Sequence, residues 1–368
     1  MNRQAVTQSA VNQRLTEGAA AEAFRREPSH EQVHHVVASR SVAPWLEYFC
    51  SAPVERIHHA GEHVSARVLL EDRLLPLAPR LVVFHSNHYS LPRDIELATT
   101  LRGLGIPALA QSGRCARLGL DKLALRDFLA RRGVPMPELR SPGKPARPGE
   151  RWVIKHRAGT AGLHNRMADD GRHAQPAAAD EYVERFVDGE EYSVIAYADA
   201  TRVVTFPLIQ KGRARFDLLP PHMRGRICPA VGVDPALEAR MMEITRLIAT
   251  DSRCSTWLEV EFIVPDDGEP LVLEINPRVS GTLRIGAMVT GLRAFDLPTS
   301  PAVRGHLPSL TSAVEAPWFG AAVLDPDRQV FATSRITVCG ADRAELEGKL
   351  AEAGLSLSDV LAEAGIAI

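Results

Sequence analysis

Trp257-Leu-Glu-Val-Glu-Phe-Ile-Val-Pro-Asp-Asp-Gly-Glu-Pro-Leu-Val-Leu-Glu-Ile-Asn-Pro-Arg-Val-Ser-Gly-Thr282 says more about this chain than any other stretch of it. It reads as two strands joined by an Asp-Asp-Gly turn. Side chains alternate across a strand, so Glu259 and Glu261 share a face, and Glu274 and Asn276 share a face of the next strand. Where a hairpin lets those faces coincide, three carboxylates and one amide gather. Clustered carboxylates repel unless something positive sits between them. All-oxygen ligands suit Mg²⁺ or Mn²⁺, and Mg²⁺ shares its shell with substrate phosphates. An exposed hairpin edge accounts for Glu259 on its own. It does not account for Glu274 and Asn276, which stand in an apolar strand (Leu271, Val272, Leu273, Ile275) running into Pro277-Arg278.

The composition sets the frame around this segment. A chain of 368 residues is long enough for two or three domains and a sizeable core. It is 45% hydrophobic and 24% charged, as soluble globular proteins are. A net charge of −2 gives no general pull toward nucleic acid or an anionic membrane, so phosphate binding must come from local Lys and Arg. Cys50, Cys115, Cys228, Cys254 and Cys339 are odd in number, scattered, and form no Cys-x-x-Cys pair; they read as reduced thiols of a cytoplasmic protein. No apolar run approaches membrane-spanning length and the polar N-terminus lacks a signal-peptide core. The adjacent pairs His34-His35 and His58-His59 do not share a helix face, and nothing around them suggests a zinc site.

Residues 1–40, rich in Ala, Glu, Gln and Arg, are expected to be helical or disordered. From about 41, strand and helix signals alternate. Arg80 to His85 reads as a buried strand, Asp94 to Leu104 as a helix and Ala108 to Gln111 as the next strand. This βαβ pattern predicts a parallel sheet with functional loops at its strand C-termini. His85, Asn87, His88 and Arg93 sit at such an edge and are candidates for holding a substrate. Leu120 to Gly133 reads as a helix stopped by Gly133 and Pro135. Arg151 to Lys155 reads as a strand, followed by a loop holding Gly159, Thr160, Ala161 and Gly162. Glycine lets backbone N–H groups approach phosphate oxygens, although a β-turn would use the same residues and no Walker pattern follows. Tyr182 to Val194 reads as two strands about Asp188-Gly189, bracketed by Glu184 and Glu191, and Thr205 to Lys211 as a further strand ending in lysine.

The ordered set Asp121-Lys122, Lys155 with its Gly-Thr-Ala-Gly loop, Glu184 to Glu191, Lys211, Glu261 and Glu274-Ile-Asn-Pro-Arg278 resembles the ATP-grasp superfamily of carboxylate–amine ligases, over roughly residues 80–295. The closing motif is its most specific part and the glycine loop its least. The resemblance implies an α/β protein with α+β lobes: a parallel-sheet pre-ATP-grasp domain at 41–120, a small lobe at 121–190, a large lobe at 191–300 and a strand and helix extension at 301–368. It implies ATP and Mg²⁺ (or Mn²⁺) as cofactors. It assigns Lys122, Lys155 and the Gly159–Gly162 loop to the phosphates, Glu184 with the backbone of Phe186 and Val187 to adenine, and Glu191 to ribose. Lys211 would sit near the phosphates. Glu261, Glu274 and Asn276 would be the metal ligands, with Glu259 left without a role. Arg278, with Lys211, would steady the transferred phosphate, and Ser280, Gly281 and Arg284 just beyond are further substrate candidates.

The implied reaction activates a carboxylate as an acyl phosphate and couples it to an amine, releasing ADP and phosphate. The partners would be small molecules, with a homodimer as the default assembly. A thiol, carrier-protein or alcohol acceptor is an alternative, as is a silent nucleotide-binding module, against which the full set of lysines, acids and Arg278 argues. Two departures stand out. The first domain lacks a glycine-rich strand–turn–helix opening, and His156 and His164 occupy loop positions where the family often carries proline or glycine.

Overall fold

A computed structural model describes residues 48–366 apart from intervals at 51–53, 59–63, 80, 141–148, 159–164, 169–177, 220–222, 267, 322 and 333, together with a strand at 34–38. The first sheet is parallel throughout. Strands β1 (His34–Ala38), β2 (Val54–His58), β3 (Leu81–His85) and β4 (Ala108–Leu109) lie in the order β2-β1-β3-β4. β1 corrects the expectation of helix or disorder at residues 34–38 alone; the rest of 1–40 lies outside the described residues. The short run His34-His-Val-Val-Ala38 pairs on both sides, a signal too brief to show in so polar a segment. Helix α1 (Leu91–Gly103) starts earlier than Asp94, because Pro92 is tolerated in a first turn. Its Leu97, Ala98 and Leu101 pack against Val82 and Phe84 of β3.

Two short helices follow, of which the first was not anticipated. α2 (Gly113–Leu120) and α3 (Lys122–Ala130) meet at Asp121, whose carboxylate accepts from the N–H groups of Leu123 and Ala124 at 3.1 Å each. At Gly119 an added Cβ would stand 2.2 Å from Pro277 Cδ, so α2 is pressed against the strand end that carries Asn276. A three-stranded antiparallel sheet comes next, with β5 (Trp152–His156) between β6 (Arg166–Met167) and β7 (Glu181–Arg185).

Among the described residues the large sheet has eleven strands, β14 (Gly305–His306), β16 (Val323–Asp325) and β17 (Val330–Ala332) among them. Its spine runs from β13 (Leu271–Asn276) through β12 (Trp257–Pro265), β8 (Gly189–Ala198), β10 (Ile209–Arg213) and β11 (Arg226–Cys228) to β15 (Ser312–Pro317) and β18 (Arg335–Gly340). The β12–β13 hairpin sets Glu259 opposite Asn276 and Glu261 opposite Glu274, so the two acidic faces do coincide. Alternation explains the other face: Leu258, Val260 and Phe262 pack against Met241, Ile244 and Ile248 of helix α4 (Pro235–Asp251). The single strand expected over Thr205–Lys211 is two, β9 (Val203–Thr205) and β10. Pro207 lies between them and cannot donate to the ladder.

The β10–β8 register jumps between Gln210 and Gly212, leaving Lys211 as the extra residue of a β-bulge. Bulges re-aim side chains. Gly212 closes this one with φ +82°. The chain after 301 continues the same sheet without a break. Helices α5 (Arg343–Glu352) and α6 (Leu357–Ala364) cover its strands, with Leu346, Leu350, Leu357 and Leu361 packed on Ile227, Val314 and Val338. The carbonyl of Ala364 approaches Gly212 so closely that a Cβ there would lie 1.8 Å from it. Gly212→Ala therefore combines a left-handed backbone with a collision against backbone, and should destabilise the protein by more than about 1 kcal/mol. A fall in the thermal unfolding midpoint relative to the parent checks it.

Candidate active site

Between the three-stranded sheet and the large sheet lies a cleft of about 340 Å³. Lys155, Glu184, Phe186 and Val187 line it from the small sheet and the chain just after it; Glu191, Lys211, Glu259, Glu261, Glu274, Asn276 and Arg278 line it from the large sheet and the chain that follows β13. Each acid in it has a basic or amide partner from another element. Lys211 Nζ is 2.9 Å from Glu259 and 3.2 Å from Glu261. Lys122, at the head of α3, is 3.3 Å from Glu274. Glu184 takes Lys155 on one oxygen and Arg126, at 2.9 Å, on the other. Glu191 receives Arg224 at 2.6 Å. Asn276 donates Nδ2 to Glu261 at 2.9 Å and accepts from Arg278 at 3.1 Å.

The electrostatics follow from burial and pairing. Burial and the charges of Glu259 and Glu274 push the Glu261 carboxyl up, with Lys211 pulling the other way. Burial also opposes ionisation of Glu259, but Lys211, the Thr282 hydroxyl and Arg226 outweigh it and hold that carboxyl down. Glu274 is likewise held down against burial, by Lys122 and Lys155. Burial alone would lower the Lys211 ammonium; Glu259 and Glu261 raise it instead. Glu261 is therefore an acid short of positive charge, opposite a second acid in the hairpin. Among the described residues, no three of His, Cys, Asp and Glu form a metal cage. Glu261, Glu274 and the Asn276 amide oxygen instead fit a hard divalent cation that completes its shell from a ligand. The amide would have to turn over to present its oxygen, which here faces Arg278.

Other expectations meet different fates. Gly159, Thr160, Ala161 and Gly162 lie outside the described residues. The backbone N–H of Phe186 already donates to the Arg151 carbonyl at 2.8 Å, leaving that residue's own carbonyl. His85 ends β3; burial and the nearby Arg278 charge lower its imidazole to about 4, so it is neutral. His88 is lowered by burial and by Lys122 and Arg278, which places it near the same charges. Asn87 shapes its loop by accepting from the Tyr89 and Ser90 N–H groups at 2.9 and 2.8 Å.

Ser280 and Gly281 line the cleft. Arg93 and Arg284 do not. Arg93 binds Asp94 at 2.7 Å and the Val64 carbonyl, and Arg284 binds Glu315 at 2.9 Å. Glu259, left without a role by the sequence, is 4% exposed and anchors Lys211 at 2.9 Å.

Four residues escaped the sequence reading. Arg126 lies one helical turn after Lys122 on α3, a spacing that could have revealed it. Arg224 and Arg226 alternate about Gly225 on the run into β11. Glu315 is the lone acid in Ala313-Val-Glu-Ala316 and is fully buried. It accepts Arg226 at 2.6 Å, Arg284 at 2.9 Å and the Thr337 hydroxyl at 2.6 Å, and pairs with Arg335.

Residues 120–282 match the ATP-grasp domain family. Among solved structures, an L-amino acid ligase from Bacillus licheniformis aligns with TM-score 0.65 and 16% identity over 90% of this chain and 98% of its own. N5-carboxyaminoimidazole synthetase from Staphylococcus aureus, complexed with ADP, aligns with TM-score 0.62 and 13% identity over 89% and 98%. The biotin carboxylase domain of Hydrogenobacter thermophilus 2-oxoglutarate carboxylase, complexed with MgADP, ADP and bicarbonate, gives 0.62 and 12% over 83% and 86%. At these identities the likeness is one of fold.

Glu315 gives this region a stability signature. Burial opposes its ionisation, but Arg226, Arg284 and Arg335 hold its carboxyl far below the ordinary value of 4.5. Glu315→Gln leaves those guanidiniums without their counter-charge and should cost about 3–5 kcal/mol near neutral pH. A depressed carboxyl stabilises the fold above its unfolded value and loses that contribution as pH falls toward its folded value. Urea unfolding should therefore give a gap between parent and variant that is constant from about pH 6 to 8 and narrows below 4.5.

Proposed function

The chain is an ATP-grasp protein, and from that premise we propose that it is an ATP-dependent ligase that joins a carboxylate to an amine through an acyl phosphate. The observation that carries this reading is the convergence on one cleft of Glu261 and Glu274 from the hairpin with Lys155 and Lys211 from two other elements, while Lys122 of a third element pairs with Glu274. A polyanion with a divalent cation suits such a set: the acids would hold the cation, and the lysines so freed would meet phosphate oxygens.

In this reading the adenine lies against Phe186 and Val187. Its exocyclic amine donates to Glu184, which stays tied to Arg126 while Lys155 turns to the phosphates. Glu191, fixed by Arg224, accepts from ribose. Glu261, Glu274 and Asn276 would hold Mg²⁺, which would offset phosphate charge. Arg278 and Lys211 face the group in transfer.

The chemistry asks mainly for positioning and charge stabilisation. A carboxylate oxygen attacks the γ-phosphorus and ADP leaves. The amine nitrogen then attacks the acyl carbon, the C–O bond to phosphate breaks, and the amine proton passes to solvent or a neighbouring base. Neutral His85 beside Arg278 adds no further positive charge there.

The test is ADP and phosphate release from Mg-ATP across amino acids and other carboxylates, singly and paired with amines. Release that needs a carboxylate, rises with an amine, and falls about 100- to 1,000-fold in Glu274→Ala is expected. Hydroxylamine should divert the intermediate to a hydroxamate. Phosphorylated product without hydroxamate points to an alcohol acceptor. ATP binding without turnover in any mixture points to a silent binding module.

A further inference from the structure

Arg226 is a guanidinium the proposed ATP site does not use. It stands on β11 directly opposite Glu315 of β15, and it lines the cleft, as Arg284 and Arg335 do not. It is 6% exposed. Its Nη2 reaches Glu315 at 2.6 Å, while its Nε is buried and makes no hydrogen bond. Glu315 must serve Arg284 and Arg335 as well. One carboxylate thus faces three guanidiniums, an imbalance that burial makes costly. Burial and the neighbouring Arg226 charge depress even the Arg335 guanidinium, to about 10. The surplus calls for an anion, and only on the Arg226 side does the cleft give one access.

That anion is not the reacting group. Strands β8 and β10 separate β11 from β12. At about 4.8 Å between neighbouring strands, the Arg226 backbone lies roughly 14 Å from the strand carrying Glu261. The pairing with Glu315 also pulls its guanidinium the other way. With Lys211, Glu259 and Glu261 counted in, four cations face three carboxylates, so a single negative charge balances the cluster and a phosphate dianion overshoots it. Building on the ligase reading, we propose that Arg226 forms a subsite for a carboxylate of the substrate that is not activated. Two sources share this chemistry: the α-carboxylate of an amino-acid acceptor, and a second carboxylate on the acyl donor.

The experiment follows ADP release from Mg-ATP with the full chain. Amino-acid acceptors are offered as acids and as α-carboxamides, and dicarboxylate donors as diacids and as half-amides. The parent, Arg226→Gln and Arg226→Lys are compared, with unfolding midpoints recorded. In the parent, one of the two amide replacements should raise KM about 10- to 100-fold, the range for a lost charge-assisted hydrogen bond, and which one identifies the source. Arg226→Gln should raise KM for the acid about 10-fold or more, leave KM for ATP within about twofold, and abolish the preference for acid over amide. Arg226→Lys, which keeps the charge, should recover part of that preference.

Turnover in the parent with no preference for acid over amide in either arm overturns the subsite even if neither variant folds. So does an Arg226→Gln enzyme whose KM rises equally for acid and amide, the mark of a structural role. If the parent turns over no pair at all, the ligase reading fails and takes the subsite with it.

Discussion

Lys211 reaches Glu259 and Glu261 from a strand that is not their neighbour, since β8 lies between β10 and β12. Two buried charges and one half-buried one are stable there only because they meet at close range, and removing any one would strand the others. The contact depends on the bulge that makes Lys211 the extra residue of β10. The bulge depends on Gly212, where the last helix of the chain presses the Ala364 carbonyl against the backbone. The far C-terminus is thus coupled mechanically to the centre of the cleft. A boundary near residue 300 would cut one continuous sheet.

The same logic of opposed charges extends along the sheet face. At one end Lys122 and Lys155 hold the Glu274 carboxyl down against burial. In the middle Lys211 is shared by two acids. At the other end Glu315 is shared by Arg226, Arg284 and Arg335. The cleft passes from acid-rich to base-rich across these strands. A substrate carrying a divalent cation at one end and a carboxylate at the other would match that gradient. Each internal pair keeps a charge compensated until a ligand exchanges with it.

The hairpin, its coincident faces and the order of lysines were legible in the sequence, because period-two alternation and a turn fix where Glu261, Glu274 and Asn276 point. Glu259 obeys the same alternation, yet its partner is supplied by a bulge 48 residues earlier, which no local pattern announces. Arg284 follows the closing motif and looked like a substrate contact. Its helical phase carries it to Glu315, on a strand that no local pattern places there. Arg93 was drawn inward by its own neighbour, Asp94. Arg226 escaped notice for the opposite reason: short β11 carries no strong hydrophobic pattern, and its importance comes from the strands on either side.

The central claim is that the paired acids and lysines of this cleft are the binding site for Mg-ATP. Calorimetric titration of the intact protein with ATP tests it most directly, with and without Mg²⁺. The account predicts one site per chain in the micromolar range, weakened about tenfold or more when Mg²⁺ is withheld, because the lysines then face Glu261 and Glu274 without a cation to release them. Absence of binding in both conditions, or affinity indifferent to Mg²⁺, would contradict it.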